Sequence, residues 1–238
     1  MRVYAIGDIH GQIGMLHAAH ERIAADRQRT GDMQAPVVHL GDLTDRGPDS
    51  KGVIQLLIDG IDRGEPWLTV KGNHDRMFAG YVNDPTYHDP RLSTKLDWLH
   101  PRLGGTETLA SYGVDGNTHH DEVQSAVPKS HKQFLANMPL MHRFGDVAFV
   151  HAGIMPGVPL NDQTEDDLLW VRGPFHMEIQ PFEVLIVHGH TPVDKATHYG
   201  NRVNLDTGAG YGDPLTAAVF EGTDCWILEG EGRVPLVP

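Results

Sequence analysis

The chain has 238 residues, 39% of them hydrophobic and 21% charged, which suits one soluble globular domain, or one domain carrying an insertion. Against 19 Lys and Arg stand 32 Asp and Glu, a formal charge of −13, so a nucleic-acid backbone is not an expected partner. The single cysteine, Cys225, excludes a disulfide framework and suits a reducing cytoplasm, and no apolar run approaches membrane-spanning length.

The opening MRVYAIGDIHG meets Asp8 after a few apolar residues, too soon for a signal peptide. RVYAIGD reads as a strand, followed by a helix over 12–26. VVHLGD is a second strand followed by a helix around 53–61, and WLTVKGNHD a third leading into a short helix at 75–78. Near-continuous apolar runs alternating with helical stretches predict an α/β layering with strands covered on both faces. Residues 81–140 are richer in Pro, Asp, His and Gly and break that pattern. They are expected to form an inserted, cap-like segment lying over the sheet, with helices near 93–99, 105–112 and 122–137. Strand signals return at DVAFVHAG, EVLIVHGH, RVNLDTG, LTAAVFEG and CWILEG without intervening helical stretches, which predicts that part of the fold is antiparallel.

The strand ends carry the chemistry. Asp8 and His10 follow the first strand, Asp42 the second, Asn73 and His74 the third, and His151 and His190 two of the later ones. Gly7, Gly41, Gly72 and Gly189 stand immediately before polar residues, where glycine permits a sharp turn and a close approach to a ligand. Carboxyl ends of sheet strands converge on one crevice. Carboxylate, imidazole and amide oxygen together suit a borderline divalent metal: Mn, Fe or Zn. The ligands are too many for one ion and suffice for two sharing a carboxylate. Such a pair, roughly 3.5–4 Å apart, activates water and holds both oxygens of an in-line phosphoryl displacement. In LGDLTDRGPD, Asp42 would bridge the ions, Arg46 would bind phosphate as a bidentate fork, and Asp45 would orient His74 as the proton donor to the leaving group.

GDIHG, GDLTDRG, GNHD, HAG and GHTP, in that order over residues 6–210, resemble the phosphoprotein phosphatases of the calcineurin-like metallophosphoesterase superfamily. GHTP and DTGA are similar to the bacterial and phage branch in particular. The resemblance implies the metallophosphoesterase fold: layered sheets of mixed parallel and antiparallel strands flanked by helices. It implies that Asp8, His10 and Asp42 bind one metal, and Asp42, Asn73, His151 and His190 the other, with manganese the expected ion in vitro. Arg172 in LLWVRGPF matches the family's second phosphate-binding arginine, and Asn73 is placed to touch phosphate as well. Asp75 replaces the glutamate that many members carry.

The expected activity is that of a metal-dependent phosphomonoesterase acting on phosphoserine or phosphothreonine in proteins. Its alternative is a hydrolase of diadenosine polyphosphates, to which RGP at 46–48 and HAGI at 151–154 are similar; Asp45 tilts the reading towards the protein phosphatase. The partner is then a phosphoprotein or a phosphorylated small molecule, with neither membrane nor nucleic acid involved. A silent binding module would lack a ligand or an arginine, and none is lacking. His188 is expected to pack rather than bind metal, His39 to be a buried strand residue, and His17 and His20 to form a solvated helix face. His119 and His120 would lie in a polar loop. The GAGYG run at 208–212 precedes no helical stretch and is discounted as a dinucleotide loop.

Overall fold

The computed structural model describes residues 1–230 and 232–238. In its first third, β1 (Arg2–Ile6), α1 (Ile13–Thr30), β2 (Val37–His39), α2 (Ser50–Asp62), β3 (Trp67–Thr69) and α3 (Asn73–Asn83) alternate. There follow α4 (Gly105–Ser111), α5 (His120–Ala126) and α6 (Lys129–Asn137). The last part holds β4 (Met141–Phe144), β5 (Val147–Val150), α7 (Glu165–Trp170), α8 (Gly173–Met177), β6 (Leu185–His188), β7 (Thr197–His198), β8 (Arg202–Asn204), β9 (Ala217–Glu221), β10 (Asp224–Glu229) and β11 (Gly232–Leu236).

Among the described residues the strands form two sheets, one ordered β11-β10-β9-β1-β2-β3 and the other β4-β5-β6-β8-β7. β1, β2 and β3 run parallel, as do β5, β6 and β8, while β9, β10 and β11 add an antiparallel edge to the first sheet. The fold is the mixed α/β sandwich expected of a metallophosphoesterase. Strand periodicity sorts the core into layers, because successive side chains point to opposite faces. Val3, Ala5, Val38, Phe149, Val187 and Phe220 meet between the sheets. Tyr4, Ile6, Val37 and Val219 face the other way, onto Leu16, Ile23, Ile54 and Leu57 of α1 and α2. Ala148, Val150 and Ile186 pack against Leu168 and Phe175 of α7 and α8. Each large aliphatic or aromatic side chain so enclosed contributes roughly 1.5–3 kcal/mol.

Three expectations are corrected. The helix predicted at 93–99 is a succession of turns, with Leu96 N–H donating to the Ser93 carbonyl and His100 N–H to that of Asp97. Asp89 caps the Arg91 N–H and grips Arg76 through two bonds, so side chains take the local polar groups that a helix would have used. The helix predicted over 122–137 is split at Pro128, which stands at the N-cap of α6. The stretch before β6 is not strand-only, since α7 and α8 supply the crossover that the parallel β5–β6 pair requires. No helix among the described residues is long and apolar enough to cross a membrane.

Candidate metal centre and phosphate cleft

Loops at the carboxyl ends of both sheets build the site. Asp8 and His10 lie between β1 and α1; Asp42, Asp45 and Arg46 between β2 and α2; Asn73 and His74 in the first turn of α3. His151 follows β5 and His190 follows β6, so the second sheet contributes the far wall. Among the described residues, five without glycine's freedom sit at positive φ, namely His10, Asp42, Asp45, Arg46 and His190, and all five belong to this one place. Such conformations cost on the order of 1–3 kcal/mol each and persist only where surroundings enforce them. At Gly41 φ is +88°, and an added Cβ would meet the Gly72 backbone nitrogen at 2.6 Å; a methyl on Gly189 would run into the Asp8 carboxylate. Asp75 ties the loops together, accepting the N–H groups of Leu43 and Gly72, each at 2.9 Å.

The imidazoles are aimed from behind. His10 Nδ1 donates to the Thr44 carbonyl at 2.7 Å and His151 Nδ1 to the Leu40 carbonyl at 2.8 Å. Their Nε2 lone pairs are thereby turned inward, each 3.4 Å from an Asp42 oxygen. His151 Nε2 also lies 2.9 Å from Asn73 Oδ1, and His190 Nδ1 lies 2.8 Å from it. Burial lowers the His10, His151 and His190 pKa values, with Arg46 adding to the effect at His10 and Arg172 at His151 and His190, so all three are neutral at physiological pH. Burial pushes Asp42 up, yet His151, His74, His10 and His190 around it pull its carboxyl well below the usual range. Asp8 is held well above that range by burial and by Asp206 and Asp42, and Asp206 is pushed up to about 6, chiefly by burial. One Asp8 oxygen accepts the His190 N–H at 2.9 Å; the other is buried with no partner among the described residues.

Lone pairs facing lone pairs, with three carboxylates crowded beside them, is an arrangement that a divalent cation resolves. Two groupings have the spacing for it: His10, Asp42 and His74, and Asp42, His151 and His190, with ligand atoms in each within 4.8 Å of one another and Asp42 common to both. The residues present therefore fit metal.

In front of this centre is a cleft of about 250 Å³ lined by Arg46, His74, Arg102, Trp170, Arg172 and Tyr211 among others. Arg46 reaches to His10 Nε2 at 2.5 Å and His74 Nε2 at 3.1 Å, with its guanidinium 4.8 Å from the Tyr211 ring centroid. Arg172 Nε donates to His190 Nε2 at 3.1 Å. His74 Nδ1 meets Asp45 Oδ2 at 2.6 Å, and the His74 N–H donates to Asp42. The structure thus brings every residue singled out above into one place.

Sequence reading missed Arg102, Trp170 and Tyr211 on the cleft wall. Trp170 stands two residues before Arg172, and Tyr211 lies within the discounted GAGYG run, so proximity to a motif was the available signal; Arg102 offered none. His188 does pack, edge-on to Phe175 at 4.9 Å between centroids, and His39 is buried, bonded to the Leu68 carbonyl. His17 is exposed, but His20 is not a solvated residue: it stacks on Trp67 and its Nε2 lies 2.9 Å from that of His39. His120 opens α5 with its ring against Tyr81 rather than lying in a loop.

The family model for calcineurin-like phosphoesterases matches residues 1–220. The chain belongs to that family. Family members use divalent metals, and the two groupings around Asp42 are where this chain can hold them. Over its whole length the chain is 27% identical to bis(5'-nucleosyl)-tetraphosphatase PrpE [asymmetrical] of Halalkalibacterium halodurans, covering 96% of that protein. It is 42% identical to serine/threonine-protein phosphatase 1 of Salmonella typhimurium, over 76 residues that make up 32% of this chain and 30% of the other. Among solved structures, one described as a candidate diadenosine tetraphosphatase superposes with a TM-score of 0.63 at 22% identity, covering 99% of this chain and 94% of that one. A cold-active protein-tyrosine phosphatase of a Shewanella species gives 0.64 at 18%, covering 99% and 80%. These two show the shared fold. The branch expected from the motifs is not singled out by these similarities; the superfamily is.

Proposed function

We propose that this phosphoesterase hydrolyses bis(5'-nucleosyl) tetraphosphates, the activity set second in the sequence analysis. The observation that carries the reading is the extent of similarity: the tetraphosphatase PrpE is matched end to end, the 81–140 segment included, whereas similarity to the protein phosphatase spans 76 residues. The cleft agrees with it. Arg46, Arg102 and Arg172 line one wall system and suit a chain of several phosphates better than one isolated phosphoryl group. Trp170 and Tyr211 offer ring faces on which a base can stack.

In this reading Asp8, with its buried unpartnered oxygen, joins His10 and Asp42 in holding one divalent ion and leaves His74 of that grouping for the proton, while Asp42, Asn73, His151 and His190 hold the second. The ions would supply Lewis acidity and a nucleophilic water for in-line displacement. Arg46, Arg172 and Asn73 bind the phosphoryl oxygens of the substrate. His74 gives a proton to the departing oxygen, and Asp45 holds its ring. Phosphoserine and phosphothreonine hydrolysis stays as the second reading, favoured by the 42% local identity and by Asp45 itself.

Diadenosine tetraphosphate, a phosphoserine peptide and para-nitrophenyl phosphate assayed side by side with manganese decide between them. The expected result is a kcat/KM for the dinucleotide at least about tenfold above that for the peptide, the scale of one well-made extra contact. A preference for the peptide overturns the proposal in favour of the second reading.

A further inference from the structure

Asp45 can orient His74 only if its own carboxylate is fixed, and residues 81–140 fix it. Oδ2 accepts the indole N–H of Trp98 at 2.9 Å besides meeting His74 Nδ1; Oδ1 accepts the Thr108 hydroxyl at 2.8 Å. The Asp45 backbone N–H donates back to Thr108 Oγ1 at 2.8 Å and to Ser50 Oγ at 3.1 Å. The next N–H, that of Arg46, donates to the Gly104 carbonyl at 3.1 Å. These bonds hold two consecutive residues at φ of 74° and 66°, a backbone that needs such enforcement. The indole is itself locked, stacked on Phe78 at 5.5 Å and tilted against Tyr81 at 4.7 Å, and both Trp98 and Thr108 are buried away from the cleft.

We propose that Trp98 and Thr108 are positioning residues for leaving-group protonation, acting through the Asp45 carboxylate without touching substrate. The inference rests on His74 being the proton donor. In the step concerned, water adds to phosphorus and releases one proton to solvent, the bond from phosphorus to the leaving oxygen breaks with its electron pair going to that oxygen, the oxygen takes the proton from His74, and solvent returns a proton to His74. A carboxylate free to rotate would leave the imidazole misaligned with the departing oxygen. The loss then grows with the basicity of the leaving group, because only a basic leaving group depends on the proton.

The test compares phenyl phosphate with para-nitrophenyl phosphate at saturating manganese, for Trp98→Phe, Thr108→Val, Thr108→Ser and Asp45→Asn. Trp98→Phe keeps the stacked ring and removes the N–H; Thr108→Val keeps the shape and removes the hydroxyl. Both are expected to lose about tenfold or more in kcat on phenyl phosphate and less than about threefold on the nitrophenyl ester, with KM little changed. Thr108→Ser restores most of the loss. If Trp98→Phe fails to fold, the Thr108 pair decides. Equal losses on both esters, or a bias in Asp45→Asn that neither Trp98→Phe nor Thr108→Val shares, overturn the positioning role while leaving His74 as the donor. An Asp45→Asn variant without leaving-group bias overturns the reading of His74 and this inference with it.

Discussion

Asp42 is the residue on which the centre turns. It lies at the end of β2 with a φ of 46°, both oxygens directed into the site and each 3.4 Å from a histidine nitrogen. Its position between the two groupings makes Asp42→Asn the most damaging ligand change: metal content measured by elemental analysis should fall, and kcat/KM should drop by about 10² or more. Arg46 and Arg172 contact the histidines from the cleft side and reach no carboxylate of the centre by hydrogen bond. Arg46→Ala and Arg172→Ala should therefore keep their metal while kcat/KM falls by about 10²-fold, the size of one lost transition-state contact. Metal lost from either variant would make that arginine structural. These residues were legible in the sequence because each follows an apolar run through one glycine or one short turn, a purely local signal. Trp98 and Thr108 were not, since 53 or more positions separate them from the Asp45 they hold.

At the scale of elements, the strand–loop–helix units of the first third were readable because their apolar spacing repeats without tertiary help. The turns at 91–103 were not. Asp89 is drawn to Arg76 of α3, which also binds Asp166 at 2.8 Å, and a partner 90 positions away leaves no trace in local periodicity. The same segment carries Arg102 to the cleft, while Leu109 and Val123 pack in the cluster that holds Leu16 of α1. Arg102→Ala should thus act on substrate choice and not on the centre. A fall of about tenfold in kcat/KM for diadenosine tetraphosphate, with para-nitrophenyl phosphate hydrolysis within about twofold of the parent, is the expected outcome. Equal loss on both substrates would remove Arg102 from the polyphosphate wall.

Across the whole molecule, buried histidines set the acid limit of stability. His39 is lowered to about 4 and His188 to about 3, in both chiefly by burial, from an ordinary 6.5. Below 6.5 the unfolded chain takes up protons that the folded chain refuses, so stability falls as pH drops from about 6.5 towards 4. Each such histidine contributes a slope of about 1.4 kcal/mol per pH unit. The metal-free protein should therefore show a urea midpoint markedly lower at pH 5 than at pH 7. A flat profile across that interval would mean that these rings are not kept neutral.

The division of the centre between two sheets also governs the order of events in folding. Asp8 and the His190 N–H it accepts are 182 positions apart, and the grouping of Asp42, His151 and His190 is not whole until the sheets have docked, whereas His10, Asp42 and His74 all follow strands of the first sheet. An ion held by Asp42, His151 and His190 can then reward only late structure. At a free manganese concentration of 100 times its dissociation constant, the native state gains about 2.7 kcal/mol. That gain should appear as unfolding slowed by about 100-fold, with the refolding rate unchanged, because the interaction is absent from the transition state. Stopped-flow chevrons with and without manganese measure both arms. Faster refolding in metal would show the seam between the sheets already closed when the barrier is crossed.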